Sequence, residues 1–236
     1  MTESKGSNDI GYSKAQTQRI ADSIRRQILG IAIRNGGCYL AQACSSAEIV
    51  ASLYTQVMNL GPSEGAWDAI PFPGVPGPGN MDYQHGFLYN GAPAPDKDRF
   101  FVSCCHYASV IYCALAATGR ISPAALDKFN VDGWNMEMIG AEHSPGFENT
   151  AGSLGQTISI AAGTAHARKM RHEKGLVYCL LGDGELQEGQ NWECIQAAAY
   201  YQLDNFIILI DANEQQVEGA IEDQMTEQHM SARFQS

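Results

Sequence analysis

The chain has 236 residues, 44% of them hydrophobic, and a formal net charge of -11, so it can bury a full core and fits one large α/β domain better than two small ones. That charge argues against nucleic acid or an anionic membrane as the main partner, because both need a basic face. No run of about 18 apolar residues predicts a membrane span, and the polar start MTESKGSNDIGYSK lacks the apolar middle of a signal peptide.

In chain order, residues 1–12 are expected to be disordered and 13–236 to form a single domain. Ser13 and Gln16 make a capping box, after which Ile20, Ile24, Ile28 and Ile31 recur at helical spacing up to a stop near Gly36-Gly37. Ser45 with Glu48 predicts a second capping box and an amphipathic helix carrying Ile49, Leu53, Tyr54 and Val57. Seven of the nine prolines then fall between 61 and 98, a stretch that can be neither helix nor central strand. A loop of that length is a surface excursion, an insertion or a functional segment.

A short strand over 100–103 leads into an apolar helix ending at Gly119, and Ser122-Pro123 is a good start for another helix. TAGSLGQTISIAAGTAHARKM puts a glycine turn before a close-packed helix. LVYCLL, 176–181, and FIILID, 206–211, are continuous apolar runs of strand length, as expected for parallel strands covered on both faces. NWECIQAAAYYQ between them is helical, so the three make a βαβ unit. The predicted fold is therefore α/β, a mainly parallel sheet with helices on both faces.

The seven cysteines show no CxxC spacing and read as reduced core thiols of a cytoplasmic protein. Cys104-Cys105 beside His106 suggests a zinc site or nucleophile only weakly: adjacent cysteines rarely ligate one metal, and further ligands are missing at suitable spacing.

Both apolar strands end in an aspartate, Asp183 and Asp211, on the side of a parallel sheet where ligands bind. Gly182 and Gly184 flank Asp183 and let backbone approach a bulky ligand, with unusual dihedrals allowed. Asp183 and Asn213 offer hard oxygens suited to Mg²⁺ or Ca²⁺, and Mg²⁺ in turn favours a phosphorylated cofactor. Neither GxxxxGK[ST] nor GxGxxG after a strand is present. Gly-Asp-Gly alone recurs in ordinary turns and decides nothing; strand, GDG, helix, strand and then Asn213 carry more weight.

GDGELQEGQNWE…LIDANEQQVEG resembles the thiamin-diphosphate signature of the transketolase family, and three more segments are similar to that family in the same order. They are SSAEIVASLY, RFFVSCCHYASVIYCALAATG and PGFENTAGSLGQTISIAAGTAHARK. The resemblance implies a thiamin-diphosphate-binding fold of the diphosphate-binding type. It implies Mg²⁺ (or Ca²⁺) held by Asp183, the Asn213 side chain and the Gln215 carbonyl, with Gly182, Gly184 and Glu185 at the diphosphate. It also implies His106 reaching diphosphate and substrate, and Gly152 and Leu154 along the thiazolium and aminopyrimidine. Glu188 matches an acidic residue at the subunit interface, and His143 matches a substrate-side histidine if one gap is placed. Other roles stay open: His106 could cap its helix, and Glu188 could serve only the helix dipole.

This sequence departs from the family on the substrate side, with Tyr39 where the family has a histidine, Cys38 beside it, and Cys105 and Thr157 in place of glycines. The glutamate that activates thiamin lies in the family on a pyrimidine-binding domain, and SARFQS ends the chain where another strand is expected. The implied protein is thus one half of a split enzyme or a truncated piece, active only with a pyrimidine-domain partner in an α2β2-type assembly. The implied reaction is two-carbon ketol transfer from a ketose (phosphate) to an aldehyde. Alternatives are a 2-oxo acid decarboxylating or carboligating enzyme, and a cofactor-binding subunit without turnover.

Overall fold

The computed structural model describes residues 12–81, 83–216, 219–221 and 234. The expectations for residues 1–11 and for the end of the chain lie outside them. α1, Lys14–Asn35, starts at the expected capping box, Ser13 and Gln16 satisfying each other's backbone N–H, and ends at Gly36 with φ 72°. Only a residue tolerant of the left-handed region closes a helix this way without strain. The isoleucine stripe Ile24, Ile28 and Ile31 is fully buried.

The second expected capping box does not form. A short helix α2, Leu40–Ser45, precedes α3, Ala47–Ser52, which runs on as a π-helical turn through Leu53–Val57. Ser45 is the last residue of α2, and its hydroxyl donates to the Asp211 carboxylate. Glu48 pairs instead with both terminal nitrogens of Arg25 on α1. A buried carboxylate and a forked guanidinium are stronger partners than two half-exposed backbone amides, so tertiary contacts override the local motif.

The proline-rich segment divides in two. Phe72, Val75 and Met81 in its outer part are exposed. Its inner part, a 3₁₀ turn at Gly86–Asn90, plugs the core. Asn90 accepts from the buried Tyr54 hydroxyl at 2.9 Å and donates to the Gly146 carbonyl at 3.3 Å. Arg120 donates to the carbonyls of Gly61 and Tyr89. The segment is a structural strap as well as a surface excursion.

β1 is Arg99–Val102, followed by a 3₁₀ turn at Cys105–Tyr107 and α4, Ala108–Ala117, nearly all of it buried. Ser122 caps its turn through the Ala125 N–H, but only the short 3₁₀ helix Pro123–Lys128 follows. α5, Thr157–Met170, β2, Val177–Gly182, α6, Gly189–Tyr200, and β3, Phe206–Asp211, complete the frame. β4, Gln215–Gln216, and β5, Gly219–Ala220, form a small antiparallel ribbon after it.

β1, β2 and β3 lie side by side in that order, all parallel. Alternate side chains enter two different cores, as the strand period of two requires. Phe100, Val102, Tyr178 and Leu180 pack with α1, α3 and α4; Phe101, Val177, Cys179 and Leu181 pack with α5 and α6. The sheet is thus covered on both faces, which is why its strands are apolar throughout. All seven cysteines are free thiols, and among the described residues no helix is long and apolar enough to cross a membrane.

Gly86 shows how tightly the strap is held. Its N–H donates to Glu142 and its carbonyl accepts from Gly146, and an added Cβ would stand 1.9 Å from the Ser144 carbonyl oxygen. Gly86→Ala is expected to destabilise the fold by more than about 2 kcal/mol, because backbone must move to admit the methyl group. Denaturant unfolding of the variant checks this; wild-type stability would show that the strap is not anchored there.

Candidate functional site

The last register pair of β2 and β3 sets Gly182 against Asp211, so both strand ends and the turns after them open on one edge of the sheet. A cavity of about 310 Å³ lies there. Eight of the residues singled out from sequence line it: His106, Leu154, Gly182, Asp183, Gly184, Glu185, Asn213 and Gln215. Gln42, Tyr107 and Gln216, not singled out from sequence, line it as well, as does Cys104, considered there only as a weak zinc or nucleophile candidate. Gly152 and Glu188 are exposed and do not line it. Glu188 sits near the Gly155 turn, where a Cβ on Gly155 would come within 2.9 Å of its own Cβ.

His143 stands apart from the cavity lining. Its Nε2 is bonded to Glu137, and its ring meets Phe72 edge-on at 4.8 Å.

Of the two reasons expected for the glycines flanking Asp183, room and unusual dihedrals, the second is not used. Neither has a positive φ. What matters is room: a Cβ on Gly182 would lie 3.2 Å from the Tyr107 hydroxyl, and one on Gly184 would lie 3.0 Å from Gln216.

Asp183 is 2% exposed, caps the 3₁₀ turn Gly184–Gln187, and accepts from the N–H groups of Gly184 at 2.8 Å and Glu214 at 2.6 Å. Burial, together with the nearby Asp211 charge, pushes its carboxyl above the usual carboxylate range. Glu185 is equally buried and accepts from the Ser103 hydroxyl, the Cys104 thiol and the Gly155 N–H, tying three loops together. Burial, then Glu185, holds the Cys104 thiol well above its ordinary range, so it stays protonated. Asp211, 4% exposed, is the acceptor for Ser45 and Tyr107.

Among the described residues none of these three carboxylates has a salt-bridge partner. Buried anions without a cation are expensive unless an ion supplies the missing charge. Among the described residues no group of three or more His, Cys, Asp and Glu side chains could hold a metal. A cation here would need amide and carbonyl oxygens and oxygens of a ligand, which is the donor set of a hard ion. At the cavity wall the Gln216 Nε2 is buried and has no hydrogen-bond acceptor among the described residues, a donor that suits an anionic oxygen. The residues present therefore fit a hard divalent cation together with a phosphorylated group.

Comparison with known proteins decides the family. The family described as "Transketolase, thiamine diphosphate binding domain" matches residues 89–236. The chain belongs to the transketolase family. It is 32% identical over 218 residues to an apulose-4-phosphate transketolase subunit of Actinobacillus succinogenes, covering 92% of this chain and 69% of that one. It is 30% identical over 203 residues to the 6-deoxy-6-sulfo-D-fructose transketolase subunit SqwG of a Clostridium species, covering 86% of this chain and 64% of that one. The transketolase of Campylobacter jejuni shares the fold with a TM-score of 0.75 at 22% identity, covering 95% of this chain and 32% of that structure. This transketolase-family chain thus spans about two thirds of the two subunit relatives and about one third of the solved enzyme.

Tyr39 meets the His106 ring edge-on at 4.6 Å between centroids. Burial holds the His106 imidazole below the usual histidine range, with Glu185 opposing the shift, so at neutral pH it is uncharged. A base whose folded-state value is depressed costs stability as pH falls through the ordinary histidine range towards that lower value. In an NMR pH titration His106 is expected to titrate below an unfolded-chain histidine. Tyr39→Ala, by admitting water to the ring, should move it up; an unchanged midpoint in the variant would show that Tyr39 does not cover it.

Proposed function

We propose that this chain is the diphosphate- and Mg²⁺-binding component of a two-component transketolase. It works with a pyrimidine-domain partner, in an α2β2-type assembly, to transfer a two-carbon ketol unit from a ketose or ketose phosphate to an aldehyde. The observation that carries the reading is the buried Asp183 carboxylate, brought by the end of β2 into a cavity it shares with Asn213 and Gln215, with no salt-bridge partner among the described residues. The names of the two subunit relatives support a partner chain, and the free thiols support a reducing, cytoplasmic setting.

In this reading Asp183, Asn213 and the Gln215 carbonyl hold the metal, while Gly184 and Gln216 face the diphosphate. Thiamin diphosphate, when bound, supplies the nucleophilic carbon that the reaction needs. The chain's own part is positional and electrostatic. Leu154 offers the ring region an apolar wall, and Glu185 fixes the three loops around it. His106, neutral at physiological pH, is placed to accept or return a proton at a substrate oxygen through a ring nitrogen. Gly152 belongs to the ring side, Glu188 to the contact between subunits and His143 to the substrate side; each is part of the proposal.

Asp183→Ala is expected to lower Mg²⁺-dependent thiamin diphosphate affinity at least about 100-fold, since a charged ligand is lost. Calorimetric titration of the chain with its partner checks this, and unchanged affinity would sink the metal assignment. Turnover of ketose phosphates and 2-oxo acids by the same mixture separates ketol transfer from decarboxylation.

A further inference from the structure

Asp211 sits at the centre of a hydrogen-bond cluster that the cofactor reading does not use. Its Oδ2 accepts from the Ser45 hydroxyl, from the Tyr107 hydroxyl at 3.1 Å and from the Asn213 side-chain nitrogen at 3.2 Å. The same Asn213 nitrogen also donates to Ser45 Oγ at 3.2 Å, so both of its hydrogens are engaged. Asn213 Oδ1 accepts from the Gln215 N–H at 3.0 Å and keeps one lone pair spare. Turning the amide over would bring its oxygen against the Asp211 carboxylate, two acceptors face to face.

We propose that Asp211 is a positioning residue: its carboxylate fixes the Asn213 amide nitrogen-inward, so that Oδ1 is the end left to bind a cation. This rests on the metal reading above and names what presets one of its ligands. The backbone supports it. The Asp183 N–H donates to the Asp211 carbonyl at 3.3 Å, and Asp183 Oδ2 accepts from the Glu214 N–H, so Asp183 and Asn213 are referenced to one short piece of chain. A carboxylate suits the task because its charge strengthens each donor's hydrogen bond, which a neutral amide or hydroxyl acceptor does less.

A buried carboxylate near a cation also attracts it by charge alone, and a double-mutant cycle separates the two effects. In Asn213→Asp the side chain ends in two equivalent oxygens, so there is nothing left to orient. The probe is Mn²⁺ with thiamin diphosphate on the full chain, followed by the loss of the free Mn²⁺ resonance. Asp211→Ala is expected to weaken Mn²⁺ binding about tenfold or more in the native background. In the Asn213→Asp background it should weaken binding less than about twofold. Equal losses in both backgrounds overturn the proposal.

Asp183→Ala tells this apart from the site reading. If Asp183→Ala leaves Mn²⁺ binding intact, the metal reading is wrong. If it abolishes binding while the two Asp211 losses match, only the positioning role fails. A measurement without metal or substitution stands beside these. In the native chain the Asn213 side-chain amide protons should exchange with solvent more slowly than those of exposed asparagines, and rapid exchange overturns the fixed orientation.

Discussion

Everything at the site depends on one register, the pairing of Gly182 with Asp211 at the carboxyl ends of β2 and β3. Shifted by one residue, every strand side chain would change faces and the two packed cores would be lost. The alternating packing of strand side chains into the two cores therefore also fixes where Asp183 and Asn213 stand. Packing energy is the source of the site's precision, and the loops need only be short.

The site is otherwise built from groups that do not favour each other. Asp183, Glu185 and Asp211 bring three buried carboxyl groups to one sheet edge. The chain offsets this with hydroxyl, thiol and backbone donors, and among the described residues none of the three forms a salt bridge with lysine or arginine. Donors of that kind satisfy lone pairs without cancelling charge, which leaves the cleft attractive to a cation. Glu185 also holds the ends of β1, the Gly155 turn and its own turn in one arrangement.

The strands, the βαβ unit and the alignment of the two aspartate ends were legible in the sequence because long apolar runs admit few alternatives. So was α1, where local capping and tertiary packing agree. What escaped was the part made by distant contacts. Ser45 reads locally as a helix cap, yet its partner is Asp211, 166 positions away. Cys104, Tyr107 and Gln216 lie in family-like segments but were given no cofactor role, and Gln42 lies in none; the fold brings all four to the cavity. The glycines beside Asp183 were recognised as necessary for room and for unusual dihedrals; the dihedrals go unused, and the room is beside Tyr107 and Gln216. His143 shows the converse. A gapped match alone suggests its role, and its ring, engaged by Glu137 and Phe72, lies outside the cavity lining.

The central claim is that the cleft beyond β2 and β3 holds a hard cation and a diphosphate together. Anomalous scattering from a crystal of the chain grown with Mn²⁺ and thiamin diphosphate tests it most directly. The account predicts one Mn²⁺ peak bonded to Asp183, Asn213 Oδ1 and the Gln215 carbonyl, with diphosphate oxygens completing its shell. A peak elsewhere, or diphosphate density away from Gly184, would contradict it.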